Sequence, residues 1–231
     1  MWWCYPYEDC MTDPVSRETP EPPDPPEVAR GVFGDSLDTA VRYAGLLAGA
    51  GVVRGLIGPR ETARLWERHL LNCAVLADGI PAGGTVADVG SGAGLPGLVL
   101  AVHRPDLTVT LVEPLQRRVD FLTEAVTELG LDRVEVVRAR AEDLHEIRSF
   151  GTVVSRAVAP LSRLLGWCLP LVASGGQMLA MKGASAEQEL EGVQGTLRRL
   201  KAGPAAVVWF GQGVLDPPTT AIRVAASVRR G

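Results

Sequence analysis

The chain has 231 residues, of which 46% are hydrophobic, 22% charged and 5% aromatic, a composition that suits one globular domain with a modest appendage. No apolar run reaches the ~20 residues a membrane-spanning helix needs, and the opening MWWCYPYEDCMTD has neither the basic start nor the apolar stretch of a secretory signal. The net charge of −4 conceals a division, because residues 1–40 carry −7 and the rest of the chain +3; charge therefore leaves a nucleic-acid partner open.

Residues 1–31 are acidic and proline-rich and predict a disordered tail. The expected folded domain is 32–231, with N-terminal helices over 32–83 and an α/β core over 84–231. In SLDTAVRYAGLLAGAG the spacing of Leu37, Val41, Ala44 and Leu47 predicts a helix with Asp35 or Ser36 as its N-cap. After Pro59, ETARLWERHLLNCAVLAD predicts a second helix, with Leu65, His69, Asn72 and Leu76 on one side. Strands are then expected at 85–90, 107–112, 133–139, 151–157 and 175–183. Between them come a glycine turn with a helix from Pro96, a helix over 114–130 striped by Leu115, Val119, Leu122, Val126 and Leu129, and a short acidic turn. A helix around LSRLLGWCLPLV and another in AEQELEGVQGTLRRLKAG follow the fourth and fifth strands. The last two strands, 205–210 and 220–228, have no helix between them and should pair antiparallel. The alternation predicts a doubly wound, mostly parallel seven-stranded sheet with an antiparallel last strand. Cys4, Cys10, Cys73 and Cys168 form no CxxC pair and no histidine stands at ligand spacing, so no metal site and a reducing, cytoplasmic setting are expected.

Asp88-Val89-Gly90-Ser91-Gly92-Ala93-Gly94-Leu95-Pro96-Gly97 lies at the carboxyl end of the first sheet strand, the edge where open α/β sheets bind ligands. Two frames compete. Counted from Gly92 the turn is GxGxxG, a dinucleotide fingerprint; counted from Asp88 it is DxGxGxG, the nucleoside cradle of S-adenosylmethionine enzymes. In a dinucleotide turn the first glycine closely follows the strand, and from Gly90 the third glycine position holds Leu95. Pro96 also removes an N–H that a pyrophosphate would use. The methyl-donor frame is favoured, with Asp88 serving a cationic methionyl amino group. Glu113 ends the second strand at the interval expected for an acid on ribose hydroxyls. Ala141 and Glu142 follow the third strand, where an adenine would lie.

After the fourth strand stands Ser155-Arg156-Ala157. This is neither the Asn/Asp-Pro-Pro-aromatic segment of adenine-amine methylation nor a thiol nucleophile, and Cys168 sits on an apolar helical face as a structural thiol. No acid–base dyad stands out. A target such as guanine N7 already has a lone pair and loses no proton on alkylation, so positioning and electrostatics suffice. Arg156 then has two candidate roles, on the guanine edge or on the cofactor carboxylate.

With Glu67-Arg68-His69-Leu70, the glycine turn through Gly97, Arg117-Arg118-Val119 with Phe121-Leu122, Ala141-Glu142, Ser155-Arg156-Ala157 and Lys182-Gly183 in order over 35–228, the chain resembles the bacterial ribosomal RNA small subunit methyltransferase G family, also called glucose-inhibited division protein B. The resemblance implies a Rossmann-like class I methyltransferase that uses S-adenosylmethionine to methylate N7 of a guanine in the 530 loop of 16S rRNA. It also implies cofactor contacts at Gly90, Leu95, Ala141, Glu142 and Arg156, beside Asp88, Gly92, Gly94 and Glu113 from the turn reading. One departure is Asn72-Cys73, where the family has Asp-Ser. Arg117, Arg118, Lys182 and His69 are the candidate RNA contacts, with Arg64 and Arg68 near the same mouth; each has an alternative as a solvated or packing residue. The expected partner is 16S rRNA or the small ribosomal subunit, met by a monomer. A methyltransferase of the same fold on a small molecule or protein, and a cofactor-binding module without catalysis, are the alternatives.

Overall fold

The computed structural model describes residues 22–156 and 159–227. Seven strands form one sheet: β1 (Thr85–Val89), β2 (Thr108–Val112), β3 (Val134–Val137), β4 (Phe150–Arg156), β5 (Val172–Met181), β6 (Ala205–Phe210) and β7 (Thr219–Ala225). Their order is β3-β2-β1-β4-β5-β7-β6. The first five pair in parallel, and β7 runs antiparallel between β5 and β6. The expected terminal antiparallel pair is therefore present. Ala157 and Val228, expected in strands, lie outside the described residues, as does the tail over 1–21.

Both faces of the sheet are covered, which is why its central strands are largely apolar and buried along their length rather than alternating. On one face Val86, Val109, Leu111, Val154 and Leu179 pack against α4 (Gly97–His103), α5 (Gln116–Leu129) and the N-terminal helices. On the other, Ala87, Val89, Val153, Met178 and Ala180 pack against α6 (Leu161–Cys168) and residues of α7 (Ala186–Glu191) and α8 (Gln194–Arg199).

The N-terminal region differs from its expected form in several ways. Within the expected tail a helix α1 spans Glu27–Phe33, with Ala29 and Phe33 buried. Pro26 is extended and precedes the helix, and Trp66 Nε1 donates to the Pro23 carbonyl at 2.8 Å, so the chain is tied down before residue 32. Helix α2 (Leu37–Leu46) buries Ala40, Tyr43 and Ala44, and Val41 is exposed; the apolar face lies one residue round from the expected stripe, because Tyr43 is apolar except for its hydroxyl. In α5 Leu115 likewise lies outside the helix and is exposed, and Phe121, Leu122, Ala125 and Leu129 face the core.

The expected second helix is a continuous run whose pitch changes. It is 3-10 over Pro59–Arg64, π over Leu65–Leu70, α over Leu71–Ala74 (α3) and 3-10 again over Val75–Gly79. The wide π turn buries Leu65, Trp66, His69 and Leu70 together, a spread that a regular 3.6-residue turn covers less well. The helix expected over 186–203 is broken into α7 and α8 at Gly192-Val193, where Val193 leaves helical geometry (φ −111°, ψ 9°) and buries its side chain.

Candidate active site

β1 delivers the chain into the glycine turn, where Gly90, Gly92 and Gly94 all take left-handed backbone conformations (φ 74°, 58° and 96°). The N–H groups of Gly90 and Ser91 donate to the Val112 carbonyl at 2.9 and 3.2 Å, which ties the turn to the end of β2. Ser155 Oγ donates to the Val89 carbonyl at 3.0 Å from the other side. The turn's two faces differ. At Gly94 a Cβ would overlap Leu98 and stand 2.7 Å from the Tyr43 hydroxyl, itself a donor to the Ala93 carbonyl at 2.7 Å. At Gly92 a Cβ would meet nothing nearer than the Gly90 carbonyl oxygen at 3.8 Å. The inner face is filled by protein and the outer face is open.

Asp88 belongs to the inner face. It is fully buried, its Oδ2 accepts from the Gly97 N–H at 2.9 Å, and its Oδ1 has no hydrogen-bond partner. Burial pushes its pKa up to about 7, against the pull of the Gly97 N–H. Its observed contact braces the start of α4; it presents no exposed oxygen to the surface.

Glu113, at the end of β2, is also buried. Its Oε2 accepts from the Gly92 N–H at 3.0 Å and its Oε1 from the Leu115 N–H at 3.0 Å, with Arg118 Nη1 3.4 Å from Oε2. Beside it opens an apolar cavity of about 130 Å³, walled by Val89, Val112, Ala139 and Ala141 and rimmed by Glu142 and Trp167. Glu142 is exposed and Ala141 buried. Trp167 was not singled out from the sequence: its neighbour Cys168 marks the core face of α6, and only the fold turns the preceding residue toward the β3 end.

The parallel register that pairs Asp88 with Val154 sets Arg156 level with Gly90. Its guanidinium is held from the N-terminal run. Nη1 donates to Cys73 Sγ at 3.2 Å, and Nη2 donates to the Arg68 carbonyl at 3.2 Å and to His69 Nδ1 at 2.6 Å. A guanidinium has no acceptor, so Nδ1 must be the lone-pair nitrogen and the proton sits on Nε2, which donates to Glu61 Oε2 at 2.9 Å. Burial first, then Arg156, lowers the His69 pKa; the His69 hydrogen bond lowers that of Glu61. Burial raises the Cys73 thiol. The Asn72-Cys73 departure thus has a structural place: Cys73 receives Arg156, and Asn72 Oδ1 accepts from the Thr219 hydroxyl at 2.8 Å. Glu61 was missed from the sequence, where it reads as one more acid in a helix start.

Of the expected RNA contacts, Arg117 is exposed and Arg118 is half-exposed beside Glu113. The other two are differently placed. His69 is buried between Glu61 and Arg156. Lys182 Nζ lies 2.7 Å from Glu189 Oε2 and donates to the Ala159 carbonyl at 3.2 Å, with only 9% of its side chain exposed. Burial and a close carboxylate make Lys182 a strut between β5 and α7. Among the described residues no group of three metal-ligating side chains occurs.

Residues 36–215 match the family described as rRNA small subunit methyltransferase G. A ribosomal RNA small subunit methyltransferase G from a Nocardioides species is 60% identical over 215 residues, covering 93% of this chain and 85% of that protein. The one from Streptomyces avermitilis is 57% identical over 208 residues, covering 90% and 87%. The fold is shared with a crystal structure of a SAM-dependent O-methyltransferase from Thermotoga maritima, at a TM-score of 0.54 and 15% identity over 70% of this chain and 66% of that one.

Proposed function

The chain belongs to the rRNA small subunit methyltransferase G family, and from that premise we propose that it transfers a methyl group from S-adenosylmethionine to N7 of a guanine in the 530 loop of 16S rRNA. The observation that carries this reading is the reach of the family match, residues 36–215, which spans the glycine turn, Glu113, Glu142, Arg156 and the run that holds Arg156.

The site's chemistry fits the cofactor. The outer face of the turn is open at Gly92, a carboxylate waits at the end of β2, and the neighbouring slot of about 130 Å³ is apolar, as a flat nucleobase requires. When bound, S-adenosylmethionine supplies an electrophilic methyl group on a sulfonium. Gly90, Gly92 and Leu95 would give the backbone its close approach, with Gly94 packed inward behind them. Glu113 would take ribose hydroxyls on lone pairs left beside the Gly92 and Leu115 N–H groups. The Ala141 N–H and the Glu142 carboxylate read the base edge. Asp88 serves the cofactor indirectly, by fixing the turn to α4. Guanine N7 needs no base to deprotonate it, so the chain's task is to hold and to polarise. Arg156, its guanidinium held by Cys73, Arg68 and His69, would do this with a permanent charge beside either the guanine edge or the cofactor carboxylate. Arg117, Arg118 and Arg64 offer phosphate contacts around the mouth. An rRNA substrate goes with a cytoplasmic protein, and among the described residues no helix is long and apolar enough to cross a membrane.

The test supplies the purified protein with labelled S-adenosylmethionine and small subunits from a strain lacking this gene, then maps the modified nucleotide by mass spectrometry. Methyl on one guanine N7 of the 530 loop is expected. Cofactor binding without rRNA labelling would overturn the substrate in favour of a small molecule or protein, and no cofactor binding would overturn the reading of the turn.

A further inference from the structure

We infer that Glu61 is a positioning residue for methyl transfer, acting through His69 to hold the Arg156 guanidinium beside the glycine turn. The inference rests on the role given to Arg156 above. Three observations carry it. Arg156 reaches His69 Nδ1 at 2.6 Å and can only donate there. The ring's other nitrogen meets Glu61 Oε2 at 2.9 Å, and a carboxylate at Nε2 selects the tautomer with its proton on that nitrogen. Finally, 32% of the Glu61 side chain is exposed, so a role confined to stability would be small.

Without Glu61 only the contact to Arg156 holds the ring's proton on Nε2, and each excursion of that proton to Nδ1 breaks the pair. An N–H there faces an N–H of the guanidinium, and Arg156 is left with two of its three anchors. Protonation of His69 has the same effect, since an imidazolium has no acceptor. The groups around the ring fix the direction of its pH response. Arg156 from β4 and Arg68 from the π turn disfavour the imidazolium, Glu61 favours it, and burial adds to the first side. Cys73 on α3 and Tyr43 on α2 are both shifted upward by burial and stay neutral; Asp88 on β1 faces the same Arg156 charge. Methylation therefore falls as pH drops through the lowered His69 pKa.

The experiment measures methylation of small subunits across pH at saturating cofactor, for wild type, Glu61→Ala, Glu61→Gln and Arg156→Ala. Glu61→Ala is expected to lower the plateau kcat by up to about 100-fold, the penalty that a misplacement of ~1 Å can carry, with KM for subunits little changed. Its acid limb should move to lower pH, because the group that favours the imidazolium is gone. Glu61→Gln, which keeps an acceptor for the Nε2 proton, should recover most of the rate. A second readout uses the free protein: the ¹⁵N spectrum of His69, assigned among three histidines by its loss in His69→Gln, should show the Nε2–H tautomer in wild type and a mixture in Glu61→Ala. Wild-type kcat and an unmoved acid limb in Glu61→Ala, or an Nδ1–H ring in wild type, overturn the inference alone. Wild-type turnover in Arg156→Ala removes Arg156 from the reaction and the inference with it. Unlabelled subunits with wild-type protein overturn the functional reading from which both proceed.

Discussion

Gly92 has a positive φ of 58° and open space where a side chain would begin, so its requirement comes from what the turn must admit. Gly92→Asp would put a carboxylate into that space and also disturb the neighbouring N–H bond to Glu113. Burying an unpaired carboxylate at a cost of ~3 kcal/mol corresponds to about 100-fold in affinity, and calorimetric titration with S-adenosylmethionine should show at least that loss; unchanged affinity would overturn the site. Asp88 gives a second residue-scale prediction. With its pKa raised from 3.8 to about 7, its contribution to stability is whole below the lower value and is lost as pH rises through the upper one. Asp88→Asn keeps an acceptor for the Gly97 N–H and removes the ionisation. In urea melts from about pH 5 to about pH 8 the variant should gain stability relative to wild type as pH rises, and a constant difference would show that Asp88 does not titrate in this window. Comparing variant with wild type cancels the opposite trend from His69 and His103, whose lowered pKa values make stability fall as pH drops below the ordinary histidine value.

Elements divide into those whose signals are local and those set by partners far along the chain. The strands were legible because a sheet covered on both faces demands short, β-branched, largely apolar runs, which TVADV and TVTLV supply, and the edge strand AAVVWF is apolar as well. The glycine turn was legible because left-handed backbone needs glycine at fixed spacing. Helix pitch over 59–79 was not, since the pattern records which residues are apolar and the π turn is imposed by burying Trp66 and His69 together. Glu61 and Trp167 escaped for the same reason: each acquires its role from a partner that tertiary structure brings to it, Arg156 through His69 in one case and Gly90 across the cavity in the other. The junction of β1 with α4 can be tested directly. A Cβ at Gly97 would overlap Leu111 and stand 2.7 Å from Asp88 Oδ2, both buried and hard to displace, so Gly97→Ala should cost ~1–3 kcal/mol by overpacking. A denaturation midpoint equal to wild type would mean that α4 can lift from the sheet without penalty.

At the scale of the whole molecule, charge is distributed rather than scattered: the first 40 residues hold −7 and the remainder +3. Arg117 stands exposed at the start of α5, at the carboxyl edge of the sheet, where the proposed rRNA partner would meet its charge. Removing one arginine–phosphate pair flattens the dependence of log affinity on log salt by roughly 0.7–0.9. Arg117→Ala should lower the slope for small-subunit binding by about that amount, measured by titrations at several potassium chloride concentrations; an unchanged slope would place Arg117 outside the RNA footprint.

The hydrogen bond from Ser155 to the Val89 carbonyl and the grip of His69 on Arg156 also bear on synthesis. β1 and its turn are translated long before β4, yet β4 is one of the two strands that lie against β1. A nascent chain that has emerged only through β3 has a glycine turn with one flank bare, a strand edge open to stray pairing and an imidazole with no guanidinium to receive. Ser155 and Arg156 arrive in adjacent positions, and with them the edge of β1 is paired and the His69 ring receives its guanidinium in one event. If Arg156 acts as proposed, methyl transfer is withheld from any copy of the chain that ends before β4.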